Sequence, residues 1–275
     1  MIGKVKIRHL FLLAWLAALS TKAQVSSENY VQTTERISDT QVLSTTEYYD
    51  GLGRPFEMVE QKKTPDGANL IHLKEYDGLG RDWKTWLPVK DASDFLSISA
   101  ARSQGNNQYR DSHAFSLTEY DGSPLNRINT VEGVGAEWTS HPVKKDYLVN
   151  TSKYPLNCKY YRVSMQGQLQ DKGYYPEGRL YVTKTTDENG NESYEFKNIA
   201  GNVILKRTIC SIDEAADTYY IYDYRGNLAF VLPPNYQEEP SLDLYAYQYK
   251  YDGQGNCTWK KLPGCEPIYM KYDLS

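Results

Sequence analysis

A six-residue phrase occurs twice in this chain, at Tyr49-Asp50-Gly51-Leu52-Gly53-Arg54 and at Tyr76-Asp77-Gly78-Leu79-Gly80-Arg81. Looser copies stand at Tyr222-Asp223-Tyr224-Arg225-Gly226-Asn227 and Tyr251-Asp252-Gly253-Gln254-Gly255-Asn256. Their common core is Tyr-Asp-x-x-Gly-(Arg/Asn). An Asp followed three residues later by Gly suits a type I turn closed by a left-handed residue. The carboxylate accepts backbone N–H groups at the turn start, and glycine takes positive φ without a Cβ penalty. This is the three-residue hairpin loop with a bulge at the glycine. The phrase is a hairpin device before it is anything chemical.

Read from that device, most of the chain becomes strand and turn. Asn29–Thr33 and Gln41–Tyr49 have strand composition, and residues 42–62 read as a hairpin around the first phrase. Thr64-Pro65-Asp66-Gly67 is a further turn, and Asn69–Tyr76 alternates into the second phrase. Together these give an antiparallel meander that ends at Pro88. Ser93–Arg102 reads as a short helix capped by Ser93 and ending before Gly105, with Gly105–Gln108 as a loop. At Tyr120-Asp121-Gly122-Ser123-Pro124 proline stands where glycine would be, so that turn must be of another type. Residues 129–158 read as loops with short strands.

In the second half, Asp187-Glu188-Asn189-Gly190-Asn191 and Asn198-Ile199-Ala200-Gly201-Asn202 repeat the turn without its tyrosine. Turn starts at 187, 198, 223 and 252, and a last Tyr272-Asp273, make a series of strand–turn–strand units. The fold expected is all-β, mostly antiparallel, with little helix. Tyr outnumbers Phe by 25 to 6, which suits half-exposed sheet faces.

The first stretch stands apart. Lys4, Lys6 and Arg8 precede the apolar run Leu10–Leu19, and Thr21-Lys22-Ala23 follows. This is the pattern of a secretory leader cleaved after Ala23. The run is about ten residues, short of the roughly 20 that span a bilayer. Removing residues 1–23 takes four basic residues from a chain already at −4. An acidic exported protein without a basic cluster is a poor nucleic-acid binder. Export permits disulfides among Cys158, Cys210, Cys257 and Cys265, in any of three full pairings, or leaves four thiols.

Catalytic and metal patterns are scarce. Asp50, Asp77, Asp187, Asp223 and Asp252 each sit where a turn wants a carboxylate. Asp187–Glu195 alternates oxygens as a calcium loop does, yet its glycine is fourth rather than sixth. His72, His113 and His141 have no His or Cys at ligand spacing, and no C-x-x-C, Gly-x-Ser-x-Gly or phosphate loop occurs. No cofactor is implied. Trp83, Trp86, Trp138 and Trp259 could stack on sugars or flank the sheet. The structural set is therefore Tyr49, Asp50, Gly53, Tyr76, Asp77, Gly80, Asp187, Gly190, Asn198, Gly201, Tyr222, Asp223, Gly226, Tyr251, Asp252 and Gly255.

Tyr-Asp-x-x-Gly-(Arg/Asn) with strand residues behind it resembles the YD repeat of the RHS (rearrangement hot spot) family. Residues 28–165 or so carry Asn29-Tyr30, Tyr49–Pro55, Glu75–Arg81, Trp86-Leu87-Pro88, Ser123–Arg127 and Pro142-Val143-Lys144. This part resembles the uncharacterised domain that precedes RHS repeats in exported Bacteroidota proteins. From about 179 onward, Tyr181–Asp187, Tyr222–Asn227 and Leu262-Pro263-Gly264-Cys265 resemble the first repeats.

The expected organisation is a leader (1–23), an N-terminal β-rich domain (24–165) and an incomplete repeat region (166–275). The resemblance implies a spiralling β-sheet shell that in longer homologues encloses a C-terminal toxin, with a core region supporting self-cleavage. This chain stops at Ser275, within a phrase and without that core, so neither property carries over. Two readings of function stand: a non-enzymatic exported scaffold, or a surface module binding a glycan or protein. The partners implied are further repeats, a toxin in a longer chain, or that surface ligand. The implied location is periplasm, cell surface or medium.

Overall fold

The computed structural model describes residues 28–38 and 42–272. The leader and Asp273 lie outside the described residues. The chain divides into two compact units, one ending at Pro142 and the other beginning at Val143. The architecture is almost entirely antiparallel β with very little helix.

In the first unit, β1 (Asn29–Arg36), β2 (Val42–Tyr49), β3 (Pro55–Glu60) and β4 (Asn69–Tyr76) pair in sequence order. The second half of β4 pairs with β5 (Asp82–Trp86) and its first half with β6 (Val89–Asp91), on either side of Leu87-Pro88. Helix α1 (Ile98–Tyr109) follows. β7 (Phe115–Tyr120) pairs with β5 and with β8 (Ile128–Glu132), and a short 3₁₀ helix spans Ala136–Ser140. Alternation on β4 buries Ile71 and Leu73 against Val59, Trp86, Val89 and Phe115.

Helix α1 corrects the sequence reading. Its cap is Ser97, whose Oγ accepts from the Ala100 amide, and it runs through Gly105 to Tyr109. Gly105 is buried within it because a Cβ there would stand 3.3 Å from Trp86 Cε3 and 3.5 Å from Val89 Cγ1. The glycine that reads as a stop signal is a packing site. Ser93–Leu96 is an irregular strap laid on the sheet, with Phe95 against Tyr48 and Phe56.

In the second unit, β9 (Val143–Val149) pairs with β12 (Tyr181–Thr186) across β10 (Lys159–Val163) and β11 (Leu169–Tyr174), which form their own hairpin. The sheet then continues in sequence order. Its strands are β13 (Glu192–Lys197), β14 (Val203–Ser211), β15 (Glu214–Tyr222), β16 (Leu228–Leu232), β17 (Tyr247–Tyr251), β18 (Cys257–Lys261) and β19 (Ile268–Tyr269). Two short helices, α2 (Pro234–Glu238) and α3 (Leu242–Tyr245), bridge β16 and β17. Val182, Phe196, Leu205, Ile221 and Leu232 form the core, and Tyr161, Val163 and Leu169 pack the β10–β11 hairpin against it.

One buried cation ties the loop before β10 to this sheet. Arg207 pairs with Asp217 through Nε and Nη2, at 2.8 and 2.6 Å. Its Nη1 donates to Pro155 O (2.6 Å), Asn157 O (3.0 Å) and Asn157 Oδ1 (2.9 Å). Cys158, beside it, is buried, and burial pushes its thiol up to about 12 against the lowering influence of Arg207. All four cysteines are free thiols, with Cys210 and Cys265 exposed.

Arg207→Ala leaves two carbonyls without this donor and Asp217 with the Tyr219 hydroxyl in place of its ion pair, and we expect about 3–5 kcal/mol of destabilisation in urea. The released loop should expose Cys158 to a thiol reagent under native conditions. Unchanged Cys158 labelling in that variant would contradict the anchoring role.

Candidate functional site

The residues of the phrase form one repeated geometry. At Asp50, Oδ1 accepts from the amides of Leu52 (2.9 Å) and Arg54 (3.0 Å), while Arg54 Nε donates to Oδ2 (2.8 Å). The Gly53 amide donates to Asp50 O (2.9 Å) and the Asp50 amide to Arg54 O (3.0 Å), with Gly53 at φ 77°. Asp77, with Leu79, Arg81 and Gly80, repeats every one of these bonds. At Asp187, Asp223 and Asp252 the last residue is Asn, and its Nδ2 takes the place of the arginine Nε on Oδ2 at 2.9–3.1 Å. Arg and Asn are interchangeable in the phrase because each brings an N–H to that oxygen. Asn198 keeps the backbone bonds through its own Oδ1.

Two further turns close without a leading Asp, the one at Ser164 unread in the sequence and the one at Thr64 expected from Thr64-Pro65-Asp66-Gly67. Ser164 closes the β10–β11 hairpin by accepting from Gln166 and Gln168 with its Oγ, and Gly167 has φ 77°. At Thr64 the Gly67 amide donates to Thr64 O. The proline-containing turn at Asp121 is wider, with the Asp121 amide on Arg127 O and Asn126 at φ 53°.

The tyrosine that precedes the Asp has a separate role, hidden in the sequence. Tyr76 donates its hydroxyl to Pro55 O (2.6 Å), Tyr120 to Asp82 O (2.9 Å) and Tyr222 to Val203 O (3.1 Å). Tyr251 donates to Leu228 O (2.9 Å) and Tyr272 to Cys257 O (3.0 Å). Each acceptor is the residue that leaves the preceding turn, five positions after its Asp or Asn. The registers agree: continued two residues past the last paired positions, each ladder would set the acceptor opposite the residue just before the tyrosine. Tyr49, in the first phrase, donates instead to Glu47 Oε2 (2.7 Å). In the first unit the turn arginines complete the link. Arg54 lies 4.5 Å from the Tyr76 ring centroid and Arg81 4.3 Å from that of Tyr120.

Electrostatics follows from these bonds. Hydrogen bonds from Arg54, Arg81, Asn191 and Asn256 hold Asp50, Asp77, Asp187 and Asp252 below the ordinary carboxylate value of 3.8. The remaining sequence candidates are spent structurally. Glu192 pairs with Lys184 and accepts from Tyr194, and among the described residues no group of three or more His, Cys, Asp or Glu could hold a metal. His72 faces Glu60 at 3.2 Å, His113 lies against Phe115, and His141 meets Ser140 Oγ. Trp86 is buried with its Nε1 donating to Glu75 (2.7 Å), where Arg102 also pairs, so it cannot stack on a sugar. Lys84 covers Trp83 and Lys250 covers Trp259, while Trp138 is half exposed.

In the second unit an open cleft of about 870 Å³ is lined by the β10–β11 hairpin and the turns at Asn198 and Asp223. Its aromatic wall includes Tyr160, Tyr175 and Tyr220. The acid on this lining, Asp223, is the turn carboxylate already described. The cleft therefore offers no carboxylate pair for acid–base work. No helix among the described residues is long and apolar enough to cross a membrane.

Comparison with known proteins bears on the fold. Residues 20–149 match a domain of unknown function, DUF6443. Compared with curated proteins, the chain matches none. The fold is similar to that in a structure of the Photorhabdus luminescens Tc holotoxin pore carrying a TccC3 mutation, at 16% identity and a TM-score of 0.50. The crystal structure of TcdB2-TccC3 is also similar, at 16% identity and a TM-score of 0.49. In both, the match covers 84% of this chain and 11% of the other, so the chain spans about a tenth of their length. The relation is distant and concerns the fold.

Tyr251→Phe should cost about 1 kcal/mol in chemical denaturation, the net worth of one hydrogen bond. Gly226→Ala, which forces a Cβ onto φ 88°, should cost a similar amount although nothing lies within 4 Å. Asp50, Asp77, Asp187 and Asp252 stabilise the fold above pH 3.8, and that contribution is lost as pH falls through their lower folded values. Neutral behaviour of both variants would remove the turn and its latch as determinants of stability.

Proposed function

We propose that the chain is a non-enzymatic scaffold, the N-terminal portion of an RHS-type β-sheet shell exported through its leader. The observation that carries this reading is the tyrosine latch. At Tyr76, Tyr120, Tyr222, Tyr251 and Tyr272 the hydroxyl binds one strand to the residue that leaves the preceding turn, which is a structural use and not a catalytic one. The fold likeness to part of the Tc holotoxin pore supports it. So does the use of every phrase carboxylate as a turn closure. On this reading residues 24–165 form the entry domain and residues 166–275 the first repeats. The partners are further repeats or a C-terminal toxin within a longer product.

The test is the coding sequence downstream of Ser275. Further Tyr-Asp-x-x-Gly phrases in frame, in a product that electron microscopy shows as a hollow β shell, are expected. A product with no further phrases that purifies as a compact globule would contradict the scaffold reading.

A further inference from the structure

The strap Ser93–Leu96 is held to the first unit by polar contacts on one face of the sheet. Tyr48 donates its hydroxyl to Asp94 O (2.6 Å), and Asn69 Nδ2 donates to Ser93 O (3.0 Å) and Asp94 Oδ1 (3.2 Å). At its end the Leu96 amide donates to Glu57 Oε1 (3.0 Å), one residue before the Ser97 cap of α1. Glu57 is 2% exposed, and its second oxygen, Oε2, is buried without a hydrogen-bond partner. A carboxyl in that setting is stable when neutral and costly when ionised, because a single amide on Oε1 is all that offsets the buried charge.

The surrounding groups give no relief. On β2, Tyr48 faces it as a neutral phenol, with Tyr30 of β1 beyond. On β4, Leu73 stands opposite, and the Glu75 charge is met by Arg102 of α1 and Trp86. On the strap itself the nearest charge is the acid Asp94, held by Asn69 and Gln61. His72 and Glu60 pair with each other, at alternate positions on β4 and β3.

We propose that Glu57 is a proton-operated clasp: protonated, it holds the strap and the start of α1 on the sheet, and losing its proton loosens them. Opening the strap is the route by which an ionised Glu57 reaches water, since the strap end is bonded directly to it. Burial, opposed by the Leu96 amide, raises the carboxyl from 4.5 to about 7. The sign follows from that direction. The closed strap binds the proton more tightly than the open one, so the clasp is firmest below pH 4.5 and weakens as pH rises towards 7, with no further change above. The acidic turns titrate below this window. The device is independent of the scaffold reading.

Hydrogen exchange of the Leu96 amide in the full chain, corrected for intrinsic rates, tests it between pH 5 and pH 8. Opening linked to one proton makes the protection factor fall about tenfold per pH unit up to about pH 7, then level off. The amides of β7 should keep theirs. In Glu57→Gln, Leu96 protection should be flat across the range. A flat profile in the wild-type chain would overturn the proposal, and so would the same fall in Glu57→Gln. The wild-type series decides the matter even where the variant folds poorly.

Discussion

Each carboxylate of the repeated phrase closes its own turn, and at Tyr76, Tyr120, Tyr222, Tyr251 and Tyr272 the tyrosine reaches back to the carbonyl leaving the turn before. The regularity of the hairpins that carry both depends on that pair of bonds. The turn fixes where one strand ends and the next begins, and so sets the register. The latch then converts a row of local hairpins into neighbours that share hydrogen bonds beyond the ladder. Neither bond is strong alone, since a net contribution of about 1 kcal/mol is usual for such contacts. Repetition makes them matter, because a hairpin followed by a latching tyrosine is held both by its own turn and by the next.

The hairpins are legible in the sequence because their chemistry is local. Asp50 to Arg54 contains every donor and acceptor of the turn, and Asp-x-x-Gly announces them. The latch is illegible for the opposite reason. Tyr251 meets Leu228 and Tyr76 meets Pro55 over unequal chain distances, while only the strand register is constant. The Ser164 turn is missed because a hydroxyl replaces the carboxylate, and Gly105 misleads because a helical glycine chosen for close packing looks like a helix terminator. The buried polar anchors, Glu57, Glu75 and Arg207, join residues far apart in the chain and leave no local trace.

Those anchors explain how a chain so rich in turns keeps definite cores. Arg207 gathers the loop before β10 with two carbonyls and a carboxylate. Glu75 joins Trp86 to α1 through Arg102. Charges and aromatic side chains that read as a possible site are thereby committed to architecture, and Trp86 is the clearest instance. What the described residues present is a sheet architecture in which many polar groups hold one another.

The central claim, that turn and latch act as one unit across successive hairpins, is tested most directly by a double-mutant cycle on Asp50→Ala and Tyr76→Phe. Asp50 closes the first turn, and Tyr76 bonds the residue that leaves it. The account predicts that the losses of stability are non-additive, with a coupling of at least about 0.5 kcal/mol. Strict additivity would mean that the hairpins are stabilised independently, and would contradict it.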